Sequence, residues 1–319
     1  MAERDNTIDI VKSIGILLMI LGHHTLVPDL LTNFIFSFHM PLFFILSGYF
    51  YRRKDIHGLI KSDMRHLVRP YFITAFFCIL TCLINGNPNG ALMRIVSTVA
   101  SNGSPVTAMF FPGLPLIGPI WFLLALFWCK IFYIFLDRKT NNTLLWSFFI
   151  STSALLFGKY ITNLPFGFLN GFCALVFYAM GDYWNHKTSG KMNTCLYIAG
   201  LSLWIFCIFM ANLDLSYFEC SLYPISMFAS FIGTYTVYHI ARRTPQFMVP
   251  ILTWLGKNTL LILCYHTLAF YIVTVFEKYL FQPLDMVPSS LSLVIINFIL
   301  SLGLPYTHYK IQRLNKSCS

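Results

Sequence analysis

Lys12 and His23 stand on the first apolar stretch of the chain with ten residues between them. On a helix, eleven steps of about 100° return nearly to the starting face, and a rise of about 1.5 Å per residue separates the two groups by roughly 16 Å along one groove. Ionisable side chains inside a hydrophobic helix are functional candidates by default, because holding them in lipid is costly. A cation near one end of a groove and a neutral imidazole near the other describe a site for a long, charged donor. The cation would hold the donor's charge, and the imidazole would take a proton as a general base.

Other residues add to this pair. His24 follows His23 directly, and on a continuing helix it points about 100° away. His39 lies in the next apolar stretch, FIFSFHMPLFFILSGYF, which runs back across the membrane and so brings His39 close to the depth of His23. In that stretch Pro41 frees a carbonyl in the preceding turn, and Ser47-Gly48 leaves a small polar gap for close approach. His266 sits near the middle of a later stretch, where packing and pocket lining are both open readings. Trp121, Tyr265 and Tyr271 can line a pocket with an aromatic face or simply pack. Arg52 and Arg53, then Arg65 and Arg69, crowd the connection after the second stretch, on the side where Lys12 begins its groove. Guanidinium forks suit phosphate groups, so these arginines, with Lys12 and Ser47, are the candidates to bind a phosphorylated donor.

The elements that must carry these residues are membrane helices. Hydrophobic residues make up 57% of the chain and charged residues 11%. Apolar runs near twenty residues recur, each long enough for a bilayer core of about 30 Å. They lack the period-two alternation of barrel strands, so they read as helices. Ten spans are expected, near 8–27, 34–51, 70–85, 119–136, 143–159, 166–184, 193–212, 224–241, 255–276 and 290–307. The fold class is therefore all-α and polytopic, with one transmembrane domain over 1–319 and no separate soluble domain. The first span is too long, and too poor in a small-residue cleavage pattern, to be a signal peptide.

Basic residues set the expected orientation. Arg52, Arg53, Lys54, Lys61, Arg65, Arg69, Arg138, Lys139, Lys187, Lys191, Arg242, Arg243, Lys310, Arg313 and Lys316 follow the even-numbered spans, whereas the opposite side holds Arg94, Lys159 and Lys278. The positive-inside rule then places both termini in the cytoplasm of a multi-pass protein, in a bacterial inner or plasma membrane. The net charge of +10 reflects this asymmetry. No basic soluble module exists to carry nucleic acid, so the lipid bilayer and an anionic substrate are the partners left for the charge. The nine cysteines include no pair at metal-ligand spacing, so no metal is expected and they read as packing residues. The long connection at 86–118 carries a weakly amphipathic piece, ALMRIVSTVA, expected to lie on the membrane surface and to cover a site or grip a substrate.

The spacing from Lys12 to His23 resembles the Arg/Lys, ten residues, His signature of the acyltransferase-3 family of integral membrane acyltransferases. The blocks IDIVKSIGILLMILGH, FHMPLFFILSGYF, RHLVRPY, PIWFLLALF and LGKNTLLILCYH are similar to its pattern in family order, over roughly residues 7–270. The set is closest to the family's sugar O-acetylases. The resemblance implies a ten-helix enzyme that moves an acetyl group from cytoplasmic acetyl-CoA to a hydroxyl of a carbohydrate or lipid-linked glycan. His23 then matches the family's essential histidine and Lys12 its helix-one cation, with Lys in place of the commoner Arg. Arg52 and Arg53 match arginines near the inner end of span two. No appended extracellular esterase-like domain is expected, so transfer would be completed within the membrane domain. On this reading CoA phosphates dock on Arg52, Arg53, Arg65 or Arg69, and His39 orients His23 or stabilises the oxyanion. Direct transfer and a transient acetyl-histidine both remain open. The rival is a transporter or flippase for a glycan or small anion, against which stands the lack of a repeat between the two halves.

Overall fold

In a computed structural model that describes residues 6–24, 26–53, 55–100, 117–158, 160, 165–187, 193–284 and 290–317, the apolar runs fold as helices. In order they are α1 (Thr7–Gly22), α2 (Asp29–Phe36), α3 (His39–Tyr49), α4 (Ile56–Asp63), α5 (Arg69–Ile84), α6 (Pro88–Ala100), α7 (Trp121–Lys139) and α8 (Thr143–Gly158). Then come α9 (Phe168–Cys173), α10 (Leu175–Lys187), α11 (Thr194–Met210), α12 (Ile225–Ala241), α13 (Val249–Lys257), α14 (Thr259–Phe276) and α15 (Ser290–Ser317). Two short strands, β1 (Leu213–Asp214) and β2 (Glu219–Cys220), pair antiparallel between α11 and α12. Lys54, Lys159, Lys191 and the 101–116 part of the long connection lie outside the described residues.

The ten expected stretches all fall on helices. By length and composition, however, four helical segments among the described residues are able to cross a membrane: Asp29–Tyr49, Ile56–Ile84, Thr259–Leu284 and Leu291–Gln312. Thr143–Gly158 and Thr194–Met210 are apolar but shorter.

Three local departures from the expected spans matter for the site. The first helix stops at Gly22, with His23 as its cap, rather than running on to 27. The second span is broken at Ser37 and Phe38, where Phe38 leaves helical geometry. Pro41 therefore falls in the first turn of α3, where a missing N–H costs little. The third span is one long helix that widens to π geometry over Met64–Val68. Pro70 has no N–H to give and its ring crowds the preceding turn, and the wider π turn is how the helix passes it.

The amphipathic piece does not lie flat on a surface. It forms α6, which packs along α5, and the Tyr71 hydroxyl near the start of α5 donates to the Thr98 carbonyl at 2.7 Å near the end of α6. The pair is thus a hairpin that folds back on itself, with Arg94 of α6 held 4.8 Å over the Tyr271 ring of α14. Close packing elsewhere depends on glycine. A methyl group at Gly48 of α3 would collide with the Tyr178 carbonyl of α10, and one at Gly181 with the Ile45 carbonyl. The two helices approach at backbone distance, and that contact seats α3 at the centre of the bundle.

Candidate active site

Stripes from several helices build one cavity of about 420 Å³. On α1 the stripe is Lys12, Ile16 and Met19, and on α14 it is Thr259, Leu260 and Leu263. Met40, Phe43 and Ser47 face it from α3, and Phe122, Leu126 and Lys130 from α7. It opens where Phe50, Arg52 and His66 are exposed. Polar groups gather at this mouth, and the wall beyond them is apolar.

At the mouth, Lys130 Nζ bonds Asp63 Oδ1 at 2.6 Å, with the Asp63 side chain 6% exposed. His66 Nδ1 donates to the Ser62 carbonyl at 2.8 Å, which leaves Nε2 as its second ring nitrogen for the cavity. Lys12 lies 5.5 Å from the Phe50 ring centroid. Arg53 is tied to α7 instead: its Nε lies 3.0 Å from Asp137 Oδ2 and its Nη2 donates to the Asp137 carbonyl at 2.6 Å. There it offsets the negative end of the α7 dipole. The Tyr51 hydroxyl also donates to Asp137, at 2.8 Å.

The two long stripes end in imidazoles. One turn beyond Met19 the α1 stripe meets His23, and three residues beyond Leu263 the α14 stripe meets His266, with ring centroids 5.6 Å apart. The hydrogen bonds define the tautomers, because a carbonyl only accepts. His23 Nδ1–H donates to the Met19 carbonyl at 2.7 Å, so neutral His23 presents a lone pair at Nε2. His39 Nδ1–H likewise donates to the Ile35 carbonyl at 2.9 Å. Ser301 Oγ gives its proton to the Asn297 carbonyl at 2.7 Å, and therefore accepts from His266 Nδ1–H at 3.0 Å. His266 Nε2 is buried with no hydrogen-bond partner among the described residues. Three imidazoles thus offer Nε2 lone pairs past the inner end of a cavity whose mouth is basic. Such an end accepts protons. Neutral His39 has no N–H left for an oxyanion, and only its imidazolium form can donate to one.

Of the candidates named from the sequence, Lys12, Ser47 and Arg52 line the cavity. His23, His39 and His266 cluster past its end, with Phe36 touching both His39 (4.8 Å) and His23 (6.2 Å). Arg53, Arg65, Arg69 and Trp121 are not on its wall: Arg65 and Arg69 are exposed, and Trp121 is buried beside the lining residue Phe122. Tyr265 bonds His308 and Tyr271 carries Arg94. His24 does not point away from His23's neighbours. The helix has ended, and both rings pack on His266, His24 at 6.3 Å. Beyond the imidazoles α14 continues ten residues, about 15 Å, past His266. Lys130 and Asp63 had not been singled out. Lys130 carried a signal, as a lone cation inside the apolar run WFLLALFWCKIFY.

A model of the acyltransferase domain matches residues 5–308 of the chain. No curated protein and no solved structure matches it.

Proposed function

The chain belongs to the acyltransferase-3 family and is a membrane acyltransferase, and from that premise we propose that it moves an acetyl group from acetyl-CoA to a hydroxyl of a carbohydrate or lipid-linked glycan. One observation carries this reading: a cavity stripe that begins at Lys12 ends at Met19, whose carbonyl holds His23 by Nδ1 and leaves the His23 Nε2 lone pair unprotonated. A basic mouth and an apolar wall fit a donor with phosphates at one end and a thin arm at the other. The pantetheine arm, on the order of 15–20 Å long, is comparable to the roughly 16 Å of helix between Lys12 and His23. Lys12, Arg52 and Lys130 would meet the phosphates, with His66 beside them. Met19, Met40 and Leu263, each adjacent to a histidine by position or turn, would form a pliable collar around the thioester.

In the reaction His23 Nε2 takes the proton of the acceptor hydroxyl as that oxygen attacks the thioester carbonyl. The C–S bond then breaks, the ester leaves, and the proton passes to the CoA sulfur. The Met19 carbonyl holds the ring by Nδ1 and stabilises the imidazolium that forms in between. The basic connections support a ten-span arrangement with both termini in the cytoplasm, so that the mouth faces the acetyl-CoA supply.

Membranes containing the protein, incubated with acetyl-labelled acetyl-CoA, should transfer label to glycan. Acceptor translocation without acetylation would instead identify a transporter and end this proposal.

A further inference from the structure

We propose that a polar cleft walled by Phe36, the ring that packs on His39 and His23, binds the acyl acceptor, and that its chemistry selects a neutral sugar over an acidic one. This rests on the acetyl-transfer reading above. The cleft, about 230 Å³, lies between α2 and the β1–β2 hairpin. Thr32, Asn33 and Phe36 line one side, and Asn212, Asp214 and Glu219 the other.

Its position is the first argument. Phe36 belongs to the cleft wall and also packs on His39 and His23, at 4.8 and 6.2 Å between ring centroids. A single aromatic ring therefore stands between the cleft and the base that would take the acceptor's proton. The Lys12 stripe of the donor cavity ends at Met19, one turn of α1 before the same His23. Two compartments that each approach one imidazole, the cavity to Met19 and the cleft to Phe36, are the arrangement that a two-substrate transfer requires. The acceptor hydroxyl would reach His23 Nε2 when the Phe36 ring turns aside.

The second argument is chemical. Two carboxamides, the hydroxyls of Thr32, Ser37 and Tyr217, and two carboxylates give donors and acceptors that match the vicinal hydroxyls of a sugar. An aromatic face suits the C–H face of its ring. Asp214 is fixed in place, because its Oδ1 accepts from both Ser216 N (2.8 Å) and Ser216 Oγ (2.6 Å). Among the described residues no lysine or arginine lines the cleft to pair with an anion, and its wall carries the carboxyl group of Asp214 instead. The volume is below the range of about 300–1,000 Å³ for drug-sized ligands, so the cleft takes one sugar residue or a chain end.

The test reads binding apart from turnover. The full chain in nanodiscs is presented with methyl glucoside, methyl N-acetylglucosaminide and, as the acidic control, methyl glucuronide, and contact is read by saturation-transfer NMR. A neutral glycoside should bind and the glucuronide should not. Asn33→Ala with Asn212→Ala should weaken the neutral glycoside about tenfold or more, the loss of one or two neutral hydrogen bonds. Unchanged binding in that variant, glucuronide binding as strong as the neutral glycosides, or no glycoside binding by the wild type would overturn the assignment. If the double variant loses the wild-type melting profile, the near-isosteric single variants Asn33→Leu and Asn212→Leu carry the same expectation. Acetyl-CoA turnover is followed in parallel. Glycoside binding without turnover keeps the cleft and removes the acetyl-transfer reading, and turnover without glycoside binding does the reverse.

Discussion

The two ends of the cavity are built on opposite principles. At the mouth the cationic groups come from α1, α7 and the loop after α3: Lys12 is half-buried, Arg52 is exposed, and Lys130 is held by Asp63. Past the far end His39 and His266 are buried and His23 half-buried, and each is oriented by a short bond from Nδ1 to an oxygen of its own or a neighbouring helix. A mouth of several charges tolerates the loss of one, because electrostatic attraction is long-ranged and shared. An end that depends on one lone pair in one direction does not, since proton transfer needs hydrogen-bond reach.

Substitutions can break or sharpen that contrast. The largest effect is expected for His23→Ala, which should lower kcat for acetyl transfer by about 10²–10⁴ while the protein still inserts and folds. Retained turnover in that variant would remove His23 as the base. Next comes Lys130→Met, which leaves the Asp63 charge buried without its partner and should cost about 3–5 kcal/mol of stability, measured by thermal unfolding. The double variant Lys130→Met with Asp63→Leu should recover stability but keep a raised KM for acetyl-CoA. Full recovery of both would show the pair to be structural alone.

Smaller effects separate the adjacent arginines. Arg52→Ala should raise the KM for acetyl-CoA about tenfold, the loss of one charge-assisted phosphate contact, with kcat unchanged. Ser301→Ala removes the acceptor of His266 Nδ1–H and should reduce kcat only a few-fold, roughly 1 kcal/mol, with KM unmoved. Arg53→Ala, whose side chain is 60% exposed, should shift stability by less than about 1 kcal/mol and leave the donor KM alone. A KM change for Arg53→Ala as large as that for Arg52→Ala would erase the distinction between a cavity residue and an anchor of α7.

Much of the fold was legible because helix formation in apolar runs is local. All ten stretches are helical, and the Lys12 stripe faces a cavity as its periodicity requires. The misreadings share a cause, which is that side chains and packing override the run of hydrophobicity. His24 was turned back by the end of α1 at Gly22, and ALMRIVSTVA was drawn down along α5 by contacts such as Tyr71 to Thr98. Arg65 and Arg69 share the arginine chemistry of Arg52 but not its place, because the π turn before Pro70 sets which residues of that helix meet the cavity: His66 and Leu67 do.

The sequence by itself determined that this is a helical membrane protein, that Lys12 and His23 lie on one face, and that the family's motifs occur in order. Those properties follow from hydropathy and from a 3.6-residue repeat, which act along the chain. Only the tertiary structure decided that the α14 stripe lies opposite the α1 stripe, that His266 rather than a nearer residue meets His23, and that Asp63 pairs with Lys130. Each joins segments tens to hundreds of residues apart, and periodicity gives a face without saying which helix will cover it.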